Sequence, residues 1–355
     1  MTVRVAAKSG EYNIYISKDI EKVRREDVGA KCLVISDSNV WKIYGPKISY
    51  ILPDDVSVYS FVFEAGEEQK NIGVINDIYT MLVEKEFDRK DTIVALGGGV
   101  TGDMAGFAAA TYMRGIGFLQ IPTSLLAEVD SSVGGKTGID YAGYKNIIGS
   151  FYQPDAVYIS AGFLKTLSDR DIRTGLSEII KYGVIWDNSL FEYIVDNMQK
   201  ILDKDLDVLM YLIRKSCEIK AEVVSKDERE NGIRAILNFG HTIGHAVESL
   251  SGFELTHGES VALGMIAATN IAYDIGILDS REDVDRIFDA IKKAGLPVSV
   301  SDMNAEDIYT AMLHDKKTLE GKLNFILPVS IGNVEKVVID DKSIIINALN
   351  NTILK

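Results

Sequence analysis

Thr92-Ile93-Val94-Ala95-Leu96-Gly97-Gly98-Gly99-Val100-Thr101-Gly102-Asp103 passes from an apolar, β-branched run through a glycine triplet into small residues that continue to about Met113. The run predicts a buried strand and the small-residue stretch a helix. Gly97-x-Gly99-x-x-Gly102 has the dinucleotide-binding spacing, placed as the mechanism requires between strand and helix. Glycines there let backbone N–H groups approach a pyrophosphate at the helix N-terminus, where the dipole favours negative charge. Two features depart from the pattern. Asp103 would repel a pyrophosphate and is better placed to accept from a hydroxyl. Residues 118–124, Phe-Leu-Gln-Ile-Pro-Thr-Ser, lack the acidic residue expected about 20 positions on. The turn reads either as a nucleotide site or as tight strand–helix packing.

Working outward, Cys32 to Ser36 reads as a strand followed by the loop Asp37-Ser38-Asn39. Val56 to Phe63 reads as another strand, Asn71 to Glu86 as an amphipathic helix, and Gly117 to Ile121 as a strand closed by Pro122. This alternation predicts an α/β, mostly parallel sheet with ligands beyond the carboxyl ends of its strands. From about Gly162 the period lengthens. Asp169–Ile185, Leu206–Val224, Ala235–Leu250, Glu259–Ile275 and Asp283–Ala294 carry helical spacing, and Ser168 with Asp171 resembles a capping-box start. Lys322–Leu327 and Val334–Ile339 read as a hairpin. The halves are expected to pack closely around a cleft.

A length of 355 residues fits two domains, and 46% hydrophobic with 25% charged residues is an ordinary soluble composition. With 52 acidic against 38 basic side chains the formal charge is −14, which disfavours nucleic acid but leaves room for a locally positive pocket. Cys32 and Cys217 fit no metal spacing and read as reduced core thiols of a cytoplasmic protein. The first residues lack the apolar core of a secretory signal. Val261–Tyr273 is too short to span a bilayer and contains Thr269 and Asn270, so no membrane partner is expected.

Gly134-Gly135-Lys136-Thr137 imitates the end of a P-loop, but Asp130 stands where glycine is needed. ATP is thereby disfavoured, while Lys136 remains a candidate anion ligand. Of the four histidines, His241, His245 and His257 fall close together, and the first two share one helical face. Three such residues point to metal, and three nitrogen or oxygen ligands with an open position describe a catalytic zinc site. A further ligand should be a carboxylate. Glu178, in Leu176-Ser177-Glu178-Ile179-Ile180-Lys181, is a candidate, the alternative being a surface glutamate paired with Lys181.

Together with Tyr112-Met113-Arg114-Gly115, Val129 to Gly138, Lys145-Asn146, Leu237 to His245, His257-Gly258-Glu259 and His314-Asp315-Lys316-Lys317, these segments resemble the 3-dehydroquinate synthase family of sugar phosphate cyclases. The resemblance spans nearly the whole chain. It implies an N-terminal Rossmann-like NAD-binding domain, residues 1–161, a C-terminal mostly α-helical metal-binding domain, residues 162–355, and a homodimer. It implies conversion of 3-deoxy-D-arabino-heptulosonate 7-phosphate into 3-dehydroquinate and phosphate in the shikimate pathway. Oxidation at C5 acidifies C6–H, phosphate leaves, the hydride returns, the ring opens, and an intramolecular aldol step closes the carbocycle.

By the same resemblance Glu178, His241 and His257 hold zinc, or cobalt in some members, and His245 lies beside the substrate. Lys136, Asn146, Lys181, Arg234 and His245 match catalytic positions. Asp130, Lys145, Lys220 and Asn238 match substrate contacts, as does one of Lys316 and Lys317, and Arg114 matches a residue that reaches the partner subunit's site. Asp37, Asn39, Glu67, Lys70, Gly98, Gly99, Asp103, Thr123 and Ser124 match the cofactor site, with Asp37 and Asn39 taking the ribose. The chain departs from the family pattern at Ser177, Glu128 and the loop Asp140-Tyr141-Ala142-Gly143-Tyr144. Because that loop adjoins two pocket residues, a cyclase of another sugar phosphate stays open. A metal- and NAD-dependent polyol dehydrogenase is the main competitor, and it needs no cluster of phosphate-binding cations.

Overall fold

The computed structural model describes residues 1–252, 254–315 and 323–354. Its chain forms two compact units, Met1–Leu167 with Leu209–Arg229, and Ser168–Val208 with residues from Glu230 on.

The first unit contains strands β1 (Thr2–Ala7), β2 (Gly10–Ser17), β3 (Lys31–Asp37), β4 (Ser57–Phe63), β5 (Thr92–Gly97), β6 (Gly117–Pro122), β7 (Lys136–Tyr141), β8 (Tyr144–Phe151) and β9 (Ala156–Ser160). Its helices are α1 (Ser38–Tyr44), α2 (Ile48–Ile51), α3 (Ile72–Glu84) and α4 (Gly99–Thr111). The main sheet runs β1-β2-β9-β6-β5-β3-β4. Only the β1–β2 pair within it is antiparallel, so the expected parallel sheet is present. Alternate residues serve opposite faces. Leu33, Ile35, Ile93 and Ala95 join Ile75, Ile78 and Leu82 of α3 and Met104 and Ala108 of α4 in one core. Cys32, Val34, Val94 and Leu96 face Tyr44, Ile51 and Phe163 in the other. Burial on both faces explains why these strands read as continuous apolar runs. After β3 the chain adds β4 on one side and returns to set β5 on the other. The winding therefore reverses between β3 and β5, the place where open α/β sheets leave a ligand crevice.

Further along lie α5 (Asp169–Ile185), α6 (Asn188–Asp196), α7 (Met198–Leu202), α8 (Leu206–Lys226), α9 (His241–Leu250), α10 (His257–Asp274), α11 (Arg281–Lys293), α12 (Ala305–Asp315) and α13 (Lys342–Thr352). From Leu209 on, α8 belongs to the first unit and the others to the second. The expected hairpin is β10 (Leu323–Ser330) with β11 (Asn333–Ile339), antiparallel. Ser168 caps α5, accepting from the Asp171 N–H as expected. The apolar stretch 261–273 lies in α10, which is packed by α5, α9, α11 and α13. A helix surrounded in this way is apolar all round. Among the described residues no helix is long and apolar enough to cross a membrane.

One expectation is corrected. The helix expected over Ala235–Leu250 is a 3-10 turn, Ile233–Asn238, then a break, then α9. Gly240 makes the break at φ 78° in the left-handed region, and a Cβ there would lie 2.8 Å from the Val261 carbonyl oxygen and 2.6 Å from Met265 Cγ. The close approach of α10 leaves room only for glycine.

Candidate active site

In the first unit, the candidate cofactor residues gather at the strand ends where the winding reverses. Asp37 ends β3 and caps α1, its Oδ1 accepting from the Asn39 and Val40 N–H groups, each at 3.0 Å. Gly98 precedes the first residue of α4, and the Thr123 N–H donates to the Gly97 carbonyl at 3.0 Å. The packing reading of the glycine turn holds at two of its positions. A Cβ on Gly97 would meet Thr101 Oγ1 at 2.4 Å and one on Gly102 would meet Gln120 Oε1 at 2.9 Å, so those two are packing glycines. At Gly98 the nearest such atom is Ser124 Oγ at 3.5 Å, which leaves the backbone approachable.

Asp103 is held by Lys70, whose buried Nζ lies 2.6 Å from Asp103 Oδ2 and 2.5 Å from Asn146 Oδ1. Burial works against the ammonium, but the Asp103 and Glu67 carboxylates outweigh it and raise the Lys70 pKa. Lys145 Nζ lies 3.5 Å from Glu67 Oε1. Asp140 Oδ1 accepts from the Asn146 N–H, and its own N–H donates to the Lys70 carbonyl, both at 2.8 Å. The atypical loop is thus a hairpin turn with positive φ at Ala142 and Gly143, and its first residue braces Asn146.

Lys220, on α8, places Nζ 2.8 Å from Asp130 Oδ1 and 2.7 Å from its carbonyl. Gly134 and Gly135 both have positive φ and lead Lys136 into the strand β7. A P-loop lysine would instead open a helix, so its expected exclusion holds. Arg114 stands exposed in a left-handed turn at φ 66° after Met113 at φ 50°.

The second unit brings three side chains together from three helices. Glu178 of α5, His241 opening α9 and His257 opening α10 place ligand atoms within 4.8 Å of one another. Glu178 Oε1 lies 3.5 Å from His257 Nε2 and 3.8 Å from His241 Nε2. Donors around an ion at 2.0–2.1 Å in a tetrahedron sit about 3.3 Å apart, so this set fits a small divalent cation with little movement. His245, although on the same face of α9, is outside the group. Glu178 is wholly buried and pairs with buried Lys181. The pairing with Lys181 was legible, but the position is in the core. Burial, aided by the Lys181 charge, holds His241 well below the usual imidazole range, in its ligand form. Burial opposes charge on His257 as well, yet hydrogen bonds to Glu178 and Glu248 push its pKa up to about 9.

Glycine makes this approach possible. A Cβ on Gly258 would lie 2.2 Å from the Thr174 carbonyl oxygen of α5, and one on Gly264 only 1.9 Å from the Gly240 carbonyl oxygen. Arg234 is buried, and Asn238 donates through Nδ2 to Glu230. Lys316 and Lys317 lie outside the described residues. Sequence reasoning missed Glu230 and Glu248. Glu230 left no signal, but Glu248 follows His241 and His245 at the spacing of one helical face.

A family model described as 3-dehydroquinate synthase N-terminal matches residues 60–174, and one described as 3-dehydroquinate synthase C-terminal matches 175–318. The 3-dehydroquinate synthase of Acetivibrio thermocellus is 46% identical over 349 residues, 97% of each chain. The chain belongs to the 3-dehydroquinate synthase family. Its fold is similar to that of 2-epi-5-epi-valiolone synthase from Streptomyces hygroscopicus subsp. jinggangensis, solved with NAD+ and Zn2+ bound, at TM-score 0.90 and 26% identity over 98% of each chain. It is also similar to 2-deoxy-scyllo-inosose synthase complexed with carbaglucose-6-phosphate, NAD+ and Co2+, at TM-score 0.89 and 26% identity over 99% of this chain and 100% of the other.

Proposed function

We propose that the chain is the 3-dehydroquinate synthase of the shikimate pathway, cyclising 3-deoxy-D-arabino-heptulosonate 7-phosphate to 3-dehydroquinate with release of phosphate. The observation that carries this reading is 46% identity over 97% of each chain to an enzyme of that name. Structures named for other cyclases stand at 26%. When bound, the dinucleotide supplies a reversible hydride acceptor and the metal a Lewis acid.

The chain's own residues bind and orient. We assign a divalent ion, zinc or cobalt, to Glu178, His241 and His257, on the strength of their donor chemistry and spacing. NAD is assigned to Gly98, Gly99, Thr123, Ser124, Glu67, Lys70 and Asp103, with Asp37 and Asn39 for the ribose. Lys136, Lys145, Lys181, Lys220 and Arg234, with Asn146 and Asn238, answer the substrate's phosphate and carboxylate. Asp130 takes a hydroxyl, and His245 is assigned proton transfer beside the metal. Dinucleotide binding falls to residues 1–161 and metal chemistry to 162–355, with Lys220 returned to the first unit on α8.

A homodimer accords with exposed Tyr141, Tyr144, Ile147 and Phe151 on the β7–β8 hairpin and with Met113 beside Arg114. The buried free thiols of Cys32 and Cys217 accord with the cytoplasm. Purified protein with NAD+ and zinc is expected to release phosphate from the heptulosonate phosphate without net NADH. Stoichiometric NADH with no phosphate would refute the cyclase reading and favour a polyol dehydrogenase.

A further inference from the structure

We infer that Glu248 is a positioning residue for the metal site, its carboxylate holding His257 in the orientation and tautomer that turn Nε2 toward the ion. The inference rests on the assignment of Glu178, His241 and His257 as metal ligands. Glu248 lies on α9 and His257 at the start of α10, so the contact is between two helices. Glu248 Oε2 sits 3.2 Å from His257 Nδ1, and the carboxylate is 9% exposed. An ionised carboxylate only accepts, so Nδ1 keeps its hydrogen against Glu248, and Nε2 is the nitrogen that would give up its proton on binding a metal. That Nε2 faces Glu178 Oε1 at 3.5 Å.

His241 is oriented in the same manner, its Nδ1 lying 3.1 Å from the main-chain carbonyl of Phe239. Because His257 opens its helix and its side chain is 31% exposed, packing does not fix the ring as it fixes a core residue. Glu248 supplies the missing restraint. One face of α9 therefore contributes a ligand through His241 and restrains a second ligand through Glu248.

The test uses full-length Glu248→Ala and Glu248→Asp, the latter keeping the charge but retracting it by one methylene, with His257→Ala as control. Zinc affinity is measured by chelator competition, and the visible spectrum is recorded with cobalt at saturation. Glu248→Ala is expected to weaken zinc binding about 10–100-fold, the range for removing such an outer partner, and Glu248→Asp about 3–10-fold. Both should keep the wild-type cobalt spectrum, whereas His257→Ala should change it and weaken zinc further. Wild-type affinity in either folded Glu248 variant would overturn the inference, as would a cobalt spectrum altered like that of His257→Ala, which would make Glu248 a ligand. Undiminished zinc affinity in His257→Ala would instead overturn the ligand assignment, and the role of Glu248 with it.

Discussion

Replacing Gly258 with alanine tests whether helix approach sets the metal site. Gly258 follows His257 on α10, and its added Cβ would stand 2.2 Å from the Thr174 carbonyl oxygen and 2.8 Å from that residue's Cα. Real Cβ contacts essentially never fall under 3.0 Å, so at least 3.0 − 2.2 = 0.8 Å of separation is required, against a helix backbone that cannot yield locally. Thr174 is one turn from Glu178 on α5, and Thr174 Oγ1 also meets Thr256 Oγ1 at 2.8 Å across the same contact. Moving α10 off α5 would stretch the 3.5 Å between His257 Nε2 and Glu178 Oε1 toward about 4.3 Å, whereas metal–ligand distances tolerate about 0.2 Å. The overpacking should cost about 1–3 kcal/mol, which lowers the melting temperature by roughly 2–12 °C in a unit of this size and leaves the protein folded. Zinc affinity should fall at least about 10-fold. Chelator competition for zinc, beside far-ultraviolet circular dichroism, checks both effects. Gly10→Ala, whose Cβ would meet nothing within 4 Å, should change neither. Wild-type zinc affinity in a folded Gly258→Ala protein would mean that the approach of α10 to α5 does not set the metal site.

Three further outcomes follow from the geometry. His245→Ala should retain bound metal and lose turnover, as read by metal analysis beside the phosphate assay, and metal loss equal to that of His257→Ala would return His245 to the ligand set. Lys70→Met leaves Asp103 without its buried cation and should cost about 3–5 kcal/mol in thermal unfolding while weakening NAD+ at least about 10-fold. Adding Asp103→Asn should recover part of the stability, and no recovery would refute the pairing. Burial raises the Glu228 pKa, but hydrogen bonds from Ser9 and Gln153 outweigh it and leave the carboxyl below its usual range. Its stabilising effect is therefore full above the unfolded value of about 4.3 and is lost as pH falls through the folded value. Glu228→Gln should lose about 1–3 kcal/mol in urea unfolding at neutral pH and progressively less in acid, and a deficit constant with pH would refute this.

Much of the architecture was legible because its signals are local. β3, β5 and β6 are buried on both faces and read as apolar runs, while α5 and α10 carry their own capping residues. β1 and β2 went unread although they alternate buried with more exposed residues, because that alternation breaks up the continuous apolar run that marks β3, β5 and β6. The helix over Ala235–Leu250 was misread because the break at Gly240 answers to α10, more than 20 positions away.

The alternating α/β half, the glycine turn, the departure from a P-loop at Asp130 and the family resemblance are all carried by short stretches of chain. The sequence by itself also placed His241 and His245 on one face, since a helical repeat is a property of adjacent residues. Spacing left His245 among the candidate ligands and the resemblance removed it, and the folded chain brings Glu178 and His257, without His245, to His241 in one donor group. Only tertiary structure decided that Lys70 holds Asp103 and Asn146, and that Glu248 stands behind His257. Those contacts depend on how closely separate elements approach, and among α5, α9 and α10 the approach rests on Gly240, Gly258 and Gly264, whose missing side chains acquire meaning only against a neighbour far away in the chain.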